Sequence, residues 1–206
     1  MTNFLRSRGL GIISRLFHPL YMPLAGCAMV FYAFPSQIFL MQKFHLLMLA
    51  AILLLNTIII PGLASLILTK KRIITSLEMN EANERRIPII IISVCYIISC
   101  YMVRVFCPYK YFYLIMLGAA AAACVALIIN YRWKISMHMM GMGGVTGIIA
   151  ALMSAASNEI SLLLMVQIIL SGVVGSVRLA GHHHSAAQIY YGFALGFFCE
   201  YLMLSL

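Results

Sequence analysis

Residues 176–196 read SVRLAGHHHSAAQIYYGFALG, one arginine and three histidines set between two apolar runs. The run before it, from about residue 160, and the run after it, to residue 206, each approach the ~20 apolar residues that a bilayer-crossing helix needs. A charge held at the centre of a bilayer costs roughly 3 kcal/mol or more, so ionisable side chains beside membrane spans mark a functional site by default. Arg178, His182, His183 and His184 are therefore the first site candidates.

The surrounding chain supports a membrane setting. Its 206 residues are 64% hydrophobic and 9% charged, with a mean hydropathy of +1.01; an ordinary soluble domain carries about 25% charged residues. Apolar runs at about 20–40, 45–69, 88–106, 111–131, 139–156, 160–177 and 186–206 predict an all-α integral membrane protein, a bundle of six to seven transmembrane helices. The period-two alternation of a membrane β-barrel is missing. No hydrophilic run is long enough for a second domain, so residues 1–206 read as one transmembrane domain. Within it, residues 1–19 hold a possible amphipathic surface helix, with Arg6, Arg8 and Arg15 toward headgroups. That basic N-terminus lacks a hydrophobic core and a small-residue cleavage site, so no signal peptide is expected. The net charge of +9 fits loop cations beside anionic headgroups and argues for membrane lipids, not nucleic acid, as partners. Six cysteines without a C-x-x-C pair read as small apolar packing residues.

The polar segment 68–88 opens with Lys70, Lys71 and Arg72 as stop-transfer charges. Residues 76–86 are expected to be helical, with Glu78, Glu81 and Arg85 on one face and Arg86 about 100° round from Arg85. Asn56 is expected to make an interhelical hydrogen bond. One helix of the 88–131 pair is expected to be only partly inserted. Gly143 with Gly147, and Gly192 with Gly196, form G-x-x-x-G faces for close helix packing. His18, beside Pro19, reads as structural, and Glu200 as interfacial.

Three motifs lie in loops that follow the second, fourth and sixth spans, hence on one membrane face. They are Arg85-Arg86-Ile87-Pro88, Ser136-Met137-His138, and Arg178 followed after five residues by His184 and after three more by Gln188. In order and spacing they resemble the three signatures of the type 2 phosphatidic acid phosphatase (PAP2) superfamily: Lys-x6-Arg-Pro, Ser-Gly-His and Ser-Arg-x5-His-x3-Asp. Here Ile87 separates Arg86 from Pro88, Met79 stands seven residues before Arg86, Met137 replaces the glycine, Val177 separates Ser176 from Arg178, and Gln188 replaces the aspartate.

The resemblance implies a membrane phosphatase for an amphipathic lipid phosphate or isoprenoid diphosphate. In that scheme His184 attacks phosphorus to give phosphohistidine, and Arg178 with Arg86 or Arg85 holds the phosphate oxygens. Ser136 adds a hydrogen bond, His138 protonates the leaving oxygen, and Gln188 orients His184. No metal or cofactor takes part, and His182 and His183 line the pocket. Two other readings remain: a lipid phosphotransferase, and a catalytically weakened relative that binds or moves anionic lipids. Basic residues outnumber those of the other face on the face that carries the N-terminus and the motifs. The positive-inside rule then predicts a cell (inner) membrane protein whose site faces the cytoplasm.

Overall fold

The computed structural model describes residues 11–77, 79, 81–153, 159–181 and 184–206. A short helix at 11–16 leads through a one-turn 3-10 helix, Pro19–Tyr21, into α1 (Met22–Ala33). A short helix, Pro35–Phe39, precedes α2 (Lys43–Lys70). Then come α3 (Arg86–Phe106), α4 (Lys110–Asn130), α5 (Met137–Leu152), α6 (Glu159–Ala180) and α7 (Ala186–Leu204). The described residues contain no strand.

Five stretches are long and apolar enough to cross a membrane: Gly11–Ala33, Lys43–Lys70, Asn83–Phe106, Lys110–Asn130 and Ile160–Ala180. The chain is accordingly a multi-pass membrane protein. Large apolar side chains such as Tyr101, Ile128, Leu162 and Ile169 cover its outside, more apolar surface than a soluble monomer exposes. Inside, several hydroxyl side chains return their hydrogen bonds to their own helix. Thr57 donates to the Leu53 carbonyl, Ser93 to Ile89, Thr146 to Met142 and Ser171 to Gln167, each at 2.8–2.9 Å. That pattern is what an environment without water demands. The six cysteines are free thiols.

Several expectations need correction. α3 and α4 both run 21 residues and neither is cut short; the short helix is α5, with 16 residues. Two G-x-x-x-G contacts, described below, hold α5 inside the bundle, so it needs no lipid-facing length. Asn56 donates to the Ile52 carbonyl of its own helix at 3.2 Å, not across helices. It sits in a π-helical stretch, Leu54–Ile59, just before Pro61. Proline cannot donate and collides with the carbonyl four residues back, and the wider turn absorbs that mismatch. Residues 76, 77, 79, 81 and 82 are not helical. Arg72 and Met79 adopt left-handed backbone, φ 57° and 47°, and the Thr75 N–H donates to Glu84 Oε1 at 2.7 Å. Such side-chain-to-backbone bonds compete with a helix. Glu78 lies outside the described residues, as do Arg6 and Arg8 of the expected surface helix; residues 11–19 belong instead to the apolar stretch Gly11–Ala33, which replaces the expected first span at 20–40. Glu200 is buried among the helices, 5% exposed.

α5 and α7 meet along their glycines. A Cβ at Gly143 would collide with the Phe193 carbonyl oxygen, one at Gly147 with that of Phe197, and one at Gly196 with that of Met140. Helices in lipid gain little from hydrophobicity and associate through close packing, with Cα–H···O contacts adding up to about 1 kcal/mol each. Gly196→Leu should therefore cost at least the upper end of the ~1–3 kcal/mol typical of overpacking and lower the apparent melting temperature of the purified protein. Gly62→Ala, with nothing within 4 Å of the new methyl, should not. Equal melting of the two variants would contradict this packing.

Candidate functional site

The three motif-bearing loops are tied together at one end of the bundle. Asn130 Nδ2 donates to the Ala82 carbonyl at 2.7 Å, and Arg85 Nη1 to the Ile135 carbonyl at 3.1 Å. The Ser136 N–H donates to the Gln188 carbonyl at 3.3 Å. Gly192 makes that last approach possible, since its Cβ would lie 2.7 Å from the Ser136 carbonyl oxygen. The chain segment before α1 closes the same end. His138 Nε2 lies 3.0 Å from the Ser14 carbonyl, and Arg178 Nη1 donates to Ser14 Oγ at 3.4 Å. The His18 ring meets His138 edge-on at 5.6 Å.

His184 precedes α7 and is buried, 7% exposed. Its Nδ1 lies 3.0 Å from Gln188 Oε1. The same Oε1 accepts the Ser185 N–H at 3.1 Å, and the Gln188 N–H donates to Ser185 Oγ at 3.4 Å. This capping box starts α7 and also bears on proton placement. Because a backbone N–H can only donate, the atom of Gln188 that meets it is the carbonyl oxygen. That oxygen can only accept, so the 3.0 Å contact is a hydrogen bond in the tautomer with the proton on His184 Nδ1 and the lone pair on Nε2.

Burial, and after it the positive charge of Arg85, pushes the His184 pKa down to about 3; Arg178 and Lys134 act in the same direction, against the Gln188 hydrogen bond. The lowered pKa favours the neutral ring, with Arg85, Arg178 and Lys134 as the cations that act on it. Lys134 is itself held below the ordinary lysine range, first by burial and then by Arg85 and Arg178, with Glu81 opposing. Arg85 and Arg178 are buried at 6% and 7% exposure. Arg178 occupies the last turn of α6, where the helix dipole favours a cation.

Ser136 is the N-cap of α5, yet its side chain does not cap. The hydroxyl is buried and has no hydrogen-bond partner among the described residues. A serine at this position usually bonds the first-turn N–H groups, as Ser185 does for α7, so here the hydroxyl is left for something else. Two helix starts, those of α5 and α7, therefore border the cluster. Of the first-turn N–H groups of α7, which have no intrahelical partners, those of Ala186 and Ala187 stand outside the capping box.

Arg85, Lys134, Ser136, His138, Arg178, His184 and Gln188 thus share one end of the fold. Arg86 diverges: its guanidinium stacks over the Tyr131 ring at 4.8 Å. His182 and His183 lie outside the described residues. Lys134 was legible only as an interface marker; its spacing of two from Ser136 and four from His138 was the available signal. Ser14, which joins Arg178 to His138, left no signal at all. Among the described residues, no group of three or more His, Cys, Asp or Glu side chains is placed to hold a metal ion.

The cluster thus gathers guanidinium, ammonium, hydroxyl and imidazole groups, the donor types that suit an anion. Comparison with known proteins finds no matching family model, curated protein or solved structure.

Proposed function

We propose that this chain is a divergent PAP2-type membrane phosphatase that hydrolyses a lipid phosphate or isoprenoid diphosphate through phosphohistidine at His184, with its site on the cytoplasmic face. One observation carries the reading: Gln188 Oε1, which accepts the Ser185 N–H, lies 3.0 Å from His184 Nδ1, an arrangement that favours the tautomer with its lone pair on Nε2.

In this mechanism Arg178, Arg85 and Lys134 hold the phosphate oxygens, with Ser136 Oγ as a further donor. His184 Nε2 forms a bond to phosphorus as the bond to the leaving oxygen breaks. His138 supplies the proton to that oxygen. Its Nε2 faces the Ser14 carbonyl, which can only accept, so this nitrogen carries a proton in the resting site. Burial, and after it the Arg178 charge, lowers the His138 pKa to about 3; a bound phosphate acts in the opposite direction and favours the imidazolium that a general acid requires. Water then attacks the phosphohistidine, gives a proton back to His138, and releases phosphate and His184.

Incubating the purified protein with a panel of lipid phosphates and isoprenoid diphosphates and measuring released phosphate tests the reading. Turnover of at least one substrate is expected; none from folded protein would favour the lipid-binding alternative. That second reading draws on Gln188, whose neutral amide cannot stabilise the positive charge that phosphorylation places on the ring.

The same residue yields a graded prediction. Gln188→Glu keeps the reach of the side chain and adds a negative charge, so single-turnover phosphate release should rise; Gln188→Asp should rise less, being one methylene shorter. Gln188→Leu removes the tautomer lock and should slow release about tenfold or more, by analogy with the larger loss seen when a triad aspartate becomes asparagine. Equal rates in all four proteins would remove Gln188 from the mechanism.

The pH dependence follows from the lowered pKa. The reactive form of His184 is the neutral one, and it persists from high pH down to about 3. After correction for substrate ionisation, phosphate release should not fall between pH 7 and pH 5, whereas an ordinary histidine would lose most of its neutral form there. Gln188→Glu places a carboxylate on the ring, raises its pKa and should move the acid limb upward. A wild-type acid limb centred near pH 6.5 would count against His184 as the nucleophile.

A further inference from the structure

Ser14 meets two groups of the candidate site at once. Its carbonyl oxygen lies 3.0 Å from His138 Nε2, and its hydroxyl oxygen accepts from Arg178 Nη1 at 3.4 Å. In the proposed mechanism His138 gives its proton to the leaving oxygen and Arg178 holds a phosphate oxygen. Ser14 thus offers one oxygen to each of two groups that substrate needs, and a substrate held by both has to take these places from it.

Little holds this segment shut. Ser14 belongs to a six-residue helix, 11–16, and helices this short are marginal on their own. Ile13 and Phe17 pack against the core, while Ile12 and Leu16, one turn apart, are 58% and 66% exposed. Ser14 stands about 200° round the helix from Ile12, so one side meets the site and the other faces out. The backbone extends at His18, φ −66° and ψ 136°, as a residue before proline prefers, and this breaks Gly11–Ala33 between the short helix and α1. The 3.4 Å contact is long for a hydrogen bond. A neutral hydroxyl also gives a guanidinium less than a phosphate does, whose charged oxygens bind it in pairs.

We infer that helix 11–16 is a gate between the candidate site and the lipid, closed by Ser14 and opened by an oxyanion that replaces it on Arg178 and His138. The inference rests on the phosphatase reading for the identity of that oxyanion. Orthovanadate binding to the purified protein in non-ionic detergent, followed by calorimetry and by amide hydrogen exchange, tests it. Vanadate should speed exchange at residues 13–18 of wild type, where the Phe17 N–H now bonds the Ile13 carbonyl. Ser14→Ala takes one hydrogen bond from the closed state and should bind vanadate about two- to tenfold more tightly, because the open fraction sets the apparent affinity. Ser14→Thr, which keeps the hydroxyl, should bind as wild type does. A hydroxyl that merely positions Arg178 predicts the reverse, weaker binding by Ser14→Ala. Unchanged or weaker binding by Ser14→Ala, unchanged exchange at residues 13–18, or no vanadate binding by wild type would overturn the gate; the exchange measurement needs no variant. Vanadate-driven opening in a protein that releases no phosphate from any substrate would overturn the phosphatase reading and leave the gate standing.

Discussion

His184→Ala should abolish phosphate release, with a loss of at least about 10³-fold in single-turnover rate, the scale on which removal of a covalent nucleophile acts. The ring lies outside the α5–α7 contact, and the capping box needs only the Ser185 side chain and the Gln188 amide, so α7 should still start correctly. Removing the ring frees Gln188 Oε1 from one of its two contacts while leaving the Ser185 N–H in place. The melting temperature should therefore change little, and the loss of activity should not be a loss of fold. His138→Ala offers the contrast. It should slow poor leaving groups most and good ones least, since a stable leaving anion does not need the proton. Near-wild-type turnover of folded His184→Ala would remove the nucleophile assignment.

Arg178→Ala should reduce phosphate release by about 10²–10³-fold, the range for removal of one preorganised donor to transition-state charge. Arg178→Lys should recover little, because an ammonium cannot grip two phosphate oxygens in one plane. The charge also acts on His184, whose pKa it helps to depress, so the variant should show an acid limb at higher pH as well as a lower plateau. Orthovanadate, a phosphate mimic, should inhibit Arg178→Ala more weakly than wild type. Loss of activity with unchanged vanadate affinity and an unchanged acid limb would place Arg178 in the fold and not in the site.

The helical, membrane-spanning character was legible because apolar runs of bilayer length recur throughout the chain; those at 45–69, 88–106, 111–131 and 160–177 fall in helices of sufficient length, while the first such stretch is Gly11–Ala33 and not 20–40. The glycine faces were legible too, since G-x-x-x-G at 143–147 and 192–196 has one strong use in a membrane, and the two faces do meet. The segment before Arg85 was not. Its composition allowed a helix, but the bond from Thr75 to Glu84 and the left-handed residues Arg72 and Met79 depend on neighbours that no local pattern reveals. The choice between Arg85 and Arg86 was open for the same reason. Adjacent helix positions diverge by about 100°, and only the packed structure shows that Arg85 meets the Ile135 carbonyl while Arg86 turns to Tyr131. The burial of Glu200 was not legible, because the glycine that makes room for it, Gly118, belongs to another helix, α4.

The covalent intermediate tests the central claim most directly. Purified protein mixed with a radiolabelled phosphate substrate, quenched in alkali to preserve phosphohistidine and digested for peptide mapping, should carry label on His184 and on no other residue. The label should be absent from His184→Ala and should accumulate in His138→Ala, where water attack lacks its base. Turnover of substrate with label on another residue, or with none trapped in either wild type or His138→Ala, would contradict the account.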